Sequence, residues 1–137
     1  MDLRSYIGIP FKDKGRDRSG LDCWGLLRLI YRDQLKIALP SYTFAYDKTD
    51  PGCGVGHLIE KNISHEWVPV PAGEEKPGDG ILLRIQGEPM HVAVVVGRGE
   101  MIHVMKGLDV TVEKYRSNTW KHRVMGFYRH RMSCQML

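Results

Sequence analysis

A loop with no apolar side chain, Lys12-Asp13-Lys14-Gly15-Arg16-Asp17-Arg18-Ser19-Gly20, runs straight into Leu21-Asp22-Cys23-Trp24-Gly25-Leu26-Leu27. This junction constrains the fold more than any other stretch. Beyond it Trp24, Leu27, Ile30, Tyr31 and Leu35 recur at spacings of three and four, and Leu26 and Leu29 widen the stripe. That period predicts a helix from the junction to about Leu35-Lys36-Ile37, with a broad face that only a protein core can cover. Asp22 fits as its N-cap or as a first-turn acid. Cys23 then lies among free backbone N–H groups at the positive end of the helix dipole, which favours thiolate over thiol. A cysteine so placed suits a nucleophile if a base is supplied, and otherwise reads as a small buried hydrophobe.

The rest of the chain supplies candidates. Asp2 can cap a short helix through Tyr6 that Gly8 and Pro10 end, with Phe11 as a core plug. Tyr6 to Phe11 lead into the polar loop and so toward Cys23. After the long helix, Ala38-Leu39-Pro40-Ser41-Tyr42 reads as extended, Asp47 to Gly56 as a loop, and Val55 to Ile63 as a short second helix. From Trp67 the texture changes. Pro77-Gly78-Asp79-Gly80 is a tight turn before Ile81-Leu82-Leu83-Arg84-Ile85, and His91-Val92-Ala93-Val94-Val95-Val96 has the β-branched density of a central strand. Gly97-Arg98-Gly99-Glu100 turns into Met101-Ile102-His103-Val104-Met105, Val110 to Glu113 form another strand, and Val124 to Arg129 a last one. Helices first and an antiparallel meander after predict an α+β fold. At 137 residues and 42% apolar content, the chain fits a single domain, 1–137, with one core.

Strand alternation puts His91, Ala93 and Val95 on one face, and Met101, His103 and Met105 on one face of the next strand. If Gly97 to Glu100 make a hairpin with Val96 opposite Met101, His103 comes within side-chain reach of His91. Small Ala93 would let the helix start approach. His91 can then take the proton of Cys23, and His103 can hold the imidazole in the required tautomer.

Charge and cysteine usage narrow the classes. Lys+Arg total 20 against 16 for Asp+Glu, a mild basic excess of +4 scattered along the chain, which suits an anionic polymer but matches no nucleic-acid module. The first residues contain no apolar run, so no signal peptide or membrane span is expected and synthesis is assigned to the cytoplasm. Cys23, Cys53 and Cys134 make neither a disulfide framework nor a paired zinc motif, which sets a reducing compartment as the default. Cys53 and Cys134 read as incidental. His57 and His65 with Cys53 fit no four-ligand spacing, so neither metal nor other cofactor is expected. His122 and His130 read as surface residues.

Taken together, Gly20-Leu21-Asp22-Cys23-Trp24-Gly25-Leu26, the strand opening His91-Val-Ala-Val-Val-Val-Gly, Met101-Ile102-His103, the turn Pro77-Gly78-Asp79 and the segment Tyr6, Gly8, Pro10, Phe11 resemble the NlpC family of papain-like cysteine peptidases over nearly the whole chain. The resemblance implies a papain-like fold and hydrolysis of peptide bonds in peptidoglycan stem peptides, typically between D-glutamate and a diamino acid. It implies Cys23, His91 and His103 as catalytic residues, and Tyr6 near the nucleophile, assisting the oxyanion or orienting substrate, with Asp22 beside it. Cys23-Trp24, Leu39-Pro40-Ser41-Tyr42 and Trp120 with Gly126-Phe127-Tyr128-Arg129 are similar to members encoded among tail genes of long-tailed bacteriophages. That similarity implies a virion location, a bacterial wall as substrate and other tail proteins as partners. Trp24 stands where many members carry a small residue, and 38–75 is longer than in compact wall hydrolases. Two further functions fit the same residues: a tail-tip assembly protein that keeps the fold with little or no hydrolysis, and acyl transfer or amidase chemistry on another substrate.

Overall fold

A computed structural model describes residues 1–41, 66–85 and 88–135, with backbone only at 88–90 and 134–135. The expected loop at Asp47 to Gly56 and helix at Val55 to Ile63 lie outside the described residues, as do Cys53, His57, His65 and the side chain of Cys134. In chain order the elements are a 3-10 turn (Arg4–Tyr6), β1 (Arg16–Asp17), β2 (Gly20–Leu21), α1 (Cys23–Ile30), a π-helical turn (Tyr31–Leu35), β3 (Trp67–Val70), β4 (Gly80–Ile85), β5 (Glu88–Gly97), β6 (Glu100–Met105), β7 (Leu108–Lys114), β8 (Val124–His130) and α2 (Arg131–Gln135). The fold is α+β, one small helix packed on a six-stranded antiparallel sheet.

The strand order is β3-β8-β4-β5-β6-β7. The expected meander therefore holds from β4 to β7 only, and β8 returns to pair with β4 on its free edge, with β3 outside it. The polar loop is not featureless either. Arg16 and Asp17 pair with Leu21 and Gly20 in a small hairpin, and Gly15 and Gly20 are buried.

Helix α1 buries Trp24, Leu26, Leu27, Leu29 and Ile30 together with Leu82, Val92, Val94, Ile102 and Val104 on one face of the sheet. Each such side chain contributes roughly 1.5–3 kcal/mol by leaving water. The other face holds Ile81, Leu83, Ala93, Val95, Met101, Tyr115, Trp120 and Phe127. A sheet covered on both sides explains why His91 to Val96 reads as a continuous apolar run. It also moves Ala93, which packs in the second cluster and not under the start of α1. Trp24 is a core residue as expected, its indole N–H donating to the Pro40 carbonyl at 2.8 Å. His130 is buried, its ring edge-on to Trp67 at 5.1 Å, so it is not the surface residue its sequence neighbours suggest.

Where α1 gives way to the π-helical turn, Lys36 adopts a left-handed conformation (φ 58°) and ends the helical run. The Tyr31 hydroxyl donates to the Gly78 carbonyl at 2.5 Å, which ties this end of the helix to the turn before β4. Gly78 itself has φ 96°, a conformation that favours glycine.

Candidate active site

The start of α1 is held from below. Asp22 is its N-cap: one carboxylate oxygen accepts the Gly25 N–H at 2.7 Å, as the sequence suggests. The same oxygen accepts from the Arg16 guanidinium at 2.7 Å, and the other accepts the Lys14 N–H at 3.1 Å. Asp22 is fully buried with both oxygens engaged, so it positions the helix start and has no free oxygen of its own to offer a substrate. Gly25 is required here, because a Cβ at this position would run into the Gly15 carbonyl. Cys23 follows the cap and is buried. Its sulfur is in a disulfide.

Helix α1 packs against β5 and β6, the strands that carry the two histidines. His91 Nε2 lies 2.9 Å from His103 Nδ1, and His103 Nε2 lies 2.5 Å from a carboxylate oxygen of Glu113 on β7. Both imidazoles are fully buried. Trp120 covers the pair, its ring stacked on His91 at 6.0 Å and edge-on to His103 at 5.2 Å. His91 Nδ1 is buried and has no hydrogen-bond partner among the described residues. Burial first, and His103 second, push the pKa of His91 down to about 3, so the ring is neutral near pH 7. Burial also lowers His103, against the opposing pull of Glu113.

Register decides this meeting. Continuing back from the Gly97–Glu100 pair without a break would set Met101 opposite Val96 and His103 opposite Val94, on the face away from His91. A bulge between Val95 and Gly97 instead pairs Val95 with Met101 and Val94 with Ile102, which leaves His103 opposite Ala93 and on the His91 face. A second break lies across from His91, between Leu83 and Arg84, and a third between His103 and Met105. The third sets Met101 opposite Glu113 and His103 opposite Thr111, so Glu113 is on the histidine face.

Tyr6 is expected beside the nucleophile. Its hydroxyl donates at 2.8 Å to Asp33, which follows Cys23 by ten residues along the helical run, and the Arg18 guanidinium stacks on its ring. Residue spacing alone does not find Glu113, because its parity with His103 depends on the bulge. Nor does it find Trp120, whose approach comes from the connection after β7.

Chemically, the arrangement is an unpartnered imidazole nitrogen held in low dielectric, backed by two further hydrogen-bonding groups. Such a group can serve as the acid-base half of a thiol site; the two rings share the Ala93 face of β5 beneath Trp120, whereas α1, which begins at Cys23, packs on the Val92 and Val94 face.

The comparisons with known proteins agree with this reading of the fold. The chain is 23% identical over 118 residues to "Murein DD-endopeptidase MepS/Murein LD-carboxypeptidase" of Escherichia coli, covering 86% of this chain and 54% of that protein. It is 27% identical over 128 residues to the "Gamma-DL-glutamyl hydrolase" of Bacillus subtilis, covering 90% of this chain and 26% of that protein. The chain thus spans about half or less of the length of these relatives. Among solved structures, an NlpC/P60 family protein from Bacillus cereus superimposes with a TM-score of 0.68 at 24% identity, covering 93% of this chain and 37% of that one. The family model for NlpC/P60 matches residues 8–129, from Gly8 through Arg129 and so across Cys23, both histidines, Glu113 and Trp120, and the chain belongs to the NlpC/P60 family.

Proposed function

We propose that this chain is a thiol hydrolase that cuts peptide bonds in the stem peptides of bacterial peptidoglycan. The observation that carries the reading is the buried run of hydrogen bonds from His91 through His103 to Glu113, in which His91 Nδ1 has no partner among the described residues, on a strand packed against the Cys23 helix. Family membership and the names of the two relatives support a wall substrate. In the proposed cycle the Cys23 thiol gives its proton to His91 Nδ1 and the thiolate attacks the carbonyl carbon. The imidazolium then protonates the leaving amine as the C–N bond breaks, and His91 activates water to hydrolyse the thioester. The Cys23 backbone N–H, at the helix start, is the donor assigned to the oxyanion. The family resemblance implies, typically, the bond from D-glutamate to a diamino acid. Because Cys23 is in a disulfide, the nucleophile exists only after reduction.

The finer reading places the protein in a bacteriophage tail tip, made in the host cytoplasm and acting on the host wall beside other tail proteins. It is supported by the Cys23-Trp24 pair, Leu39 to Tyr42 and the Trp120 to Arg129 ending.

The test is digestion of purified peptidoglycan by reduced protein and by its Cys23→Ala variant, with released fragments identified by mass spectrometry. The parent releases stem fragments that name the bond, and the variant is slower by at least about a thousandfold. Silence from both, with the reduced Cys23 inert to alkylation, would replace the hydrolase by an assembly protein that keeps the fold. Peptides of this chain in purified virions would support the tail location.

A further inference from the structure

We infer that Glu113 is a positioning residue that sets the direction of the His91–His103 hydrogen bond and thereby keeps the lone pair of His91 on Nδ1. The inference deepens the thiol-hydrolase reading and rests on it for its catalytic meaning.

Two neutral imidazoles in contact through Nε2 of one and Nδ1 of the other can share a proton in either sense, since each ring has one N–H and one acceptor. In one sense His91 Nε2–H donates to His103 Nδ1, and the N–H of His103 is on Nε2. In the other, His103 Nδ1–H donates to His91 Nε2, and the N–H of His91 is on Nδ1. Only the first leaves His91 Nδ1 able to accept a proton. The two rings alone carry no preference, and Trp120 touches them through its ring faces and edges. The group at the far end makes the choice. An ionised carboxylate only accepts, so Glu113 at 2.5 Å from His103 Nε2 requires the N–H of His103 to be there. His103 Nδ1 must then accept, His91 Nε2 must donate, and His91 Nδ1 is left bare, which matches its lack of a partner among the described residues.

The same chain of bonds serves the charged intermediate. When a proton arrives at His91 Nδ1, the imidazolium keeps its Nε2–H on His103, and Glu113 lies two bonds away as the counter-charge; no proton has to leave the chain. Glu113 keeps part of its side chain in solvent, so the carboxylate is not fully desolvated by its bond to His103.

Nitrogen NMR of the histidine rings tests this without substrate, so its answer does not depend on any hydrolysis. The parent should show a lone-pair nitrogen at His91 Nδ1 and at His103 Nδ1, with both N–H protons on Nε2. Glu113→Ala should give averaged signals from both senses. Glu113→Gln, whose amide oxygen still accepts, should restore the parent pattern. In the hydrolysis assay Glu113→Ala should lower kcat about 10- to 100-fold with KM within about twofold, and Glu113→Gln should recover most of it. An unchanged His91 Nδ1 signal in Glu113→Ala would overturn the inference. If the parent proves inactive while Glu113→Ala scrambles the tautomers, the positioning role stands and the hydrolase reading falls.

Discussion

His91 folds at a cost that acid should reveal. An unfolded histidine takes up its proton near 6.5, whereas burial holds that of His91 down to about 3. Between those values the unfolded chain binds the extra proton and the folded chain does not. The stability that depends on a neutral His91 is therefore complete above about 6.5 and is lost as pH falls toward 3, at ~1.4 kcal/mol per pH unit for each such proton. His103 is shifted the same way and adds to the slope. Urea unfolding midpoints of the parent should fall steadily through the acid range, and those of His91→Gln should fall with a slope smaller by about one proton. Superimposable profiles would mean that His91 is not held neutral. The histidines themselves were legible from the chain, as a pair of strand residues on either side of a glycine turn. Their partner Glu113 was not, because nothing local ties it to His103.

At the scale of elements, the decisive one is the start of α1. Periodicity and a capping residue announced it, and the structure adds the Arg16 guanidinium, mostly buried, which pairs with the same Asp22 oxygen that caps the helix. Asp22→Ala removes a cap worth ~1 kcal/mol. It also leaves a buried cation without its carboxylate, so the total loss should reach about 2–4 kcal/mol by urea unfolding. Asp22→Asn keeps the capping oxygen and should fall in between. A loss under ~0.5 kcal/mol in the alanine variant would show that the cap and the ion pair do not hold this junction. The other end of the same helix was less legible. Tyr31 to Leu35 continue the apolar period, yet they wind as a π turn closed by left-handed Lys36, with the Tyr31 hydroxyl bound to the Gly78 carbonyl.

At the scale of the molecule, the return of β8 between β3 and β4 joins the chain's last strand to the turn before β4. Asp79, at that turn, receives Arg129 of β8 through two hydrogen bonds of 2.8 Å, and both side chains are largely buried. Arg129→Met leaves the carboxylate without its counter-charge and should cost about 3–5 kcal/mol. Adding Asp79→Asn to it should recover part of that loss. Equal stability of parent and Arg129→Met in denaturant would show that this pair does not fasten the sheet. The meander expectation missed this closure because sequential hairpins are the default for short turns, whereas a pairing of strands far apart in the chain is set by charges and apolar faces that meet only after collapse.

The amino-acid sequence by itself determined the local states: a helix that begins at a capped cysteine, strands of β-branched residues, and glycine turns that separate them. Each follows from interactions within a few residues of the chain, namely capping, side-chain period and the conformational freedom of glycine. Tertiary structure decided which side chains share a face. A single extra residue in a strand reverses the parity of everything beyond it. The bulges after Val95 and after His103 do so in turn, bringing His103 to His91 and Glu113 to His103. Their positions were fixed when the sheet was covered on both sides, since only that register buries Val92, Val94 and Ile102 under α1 while it seats both histidines beneath Trp120.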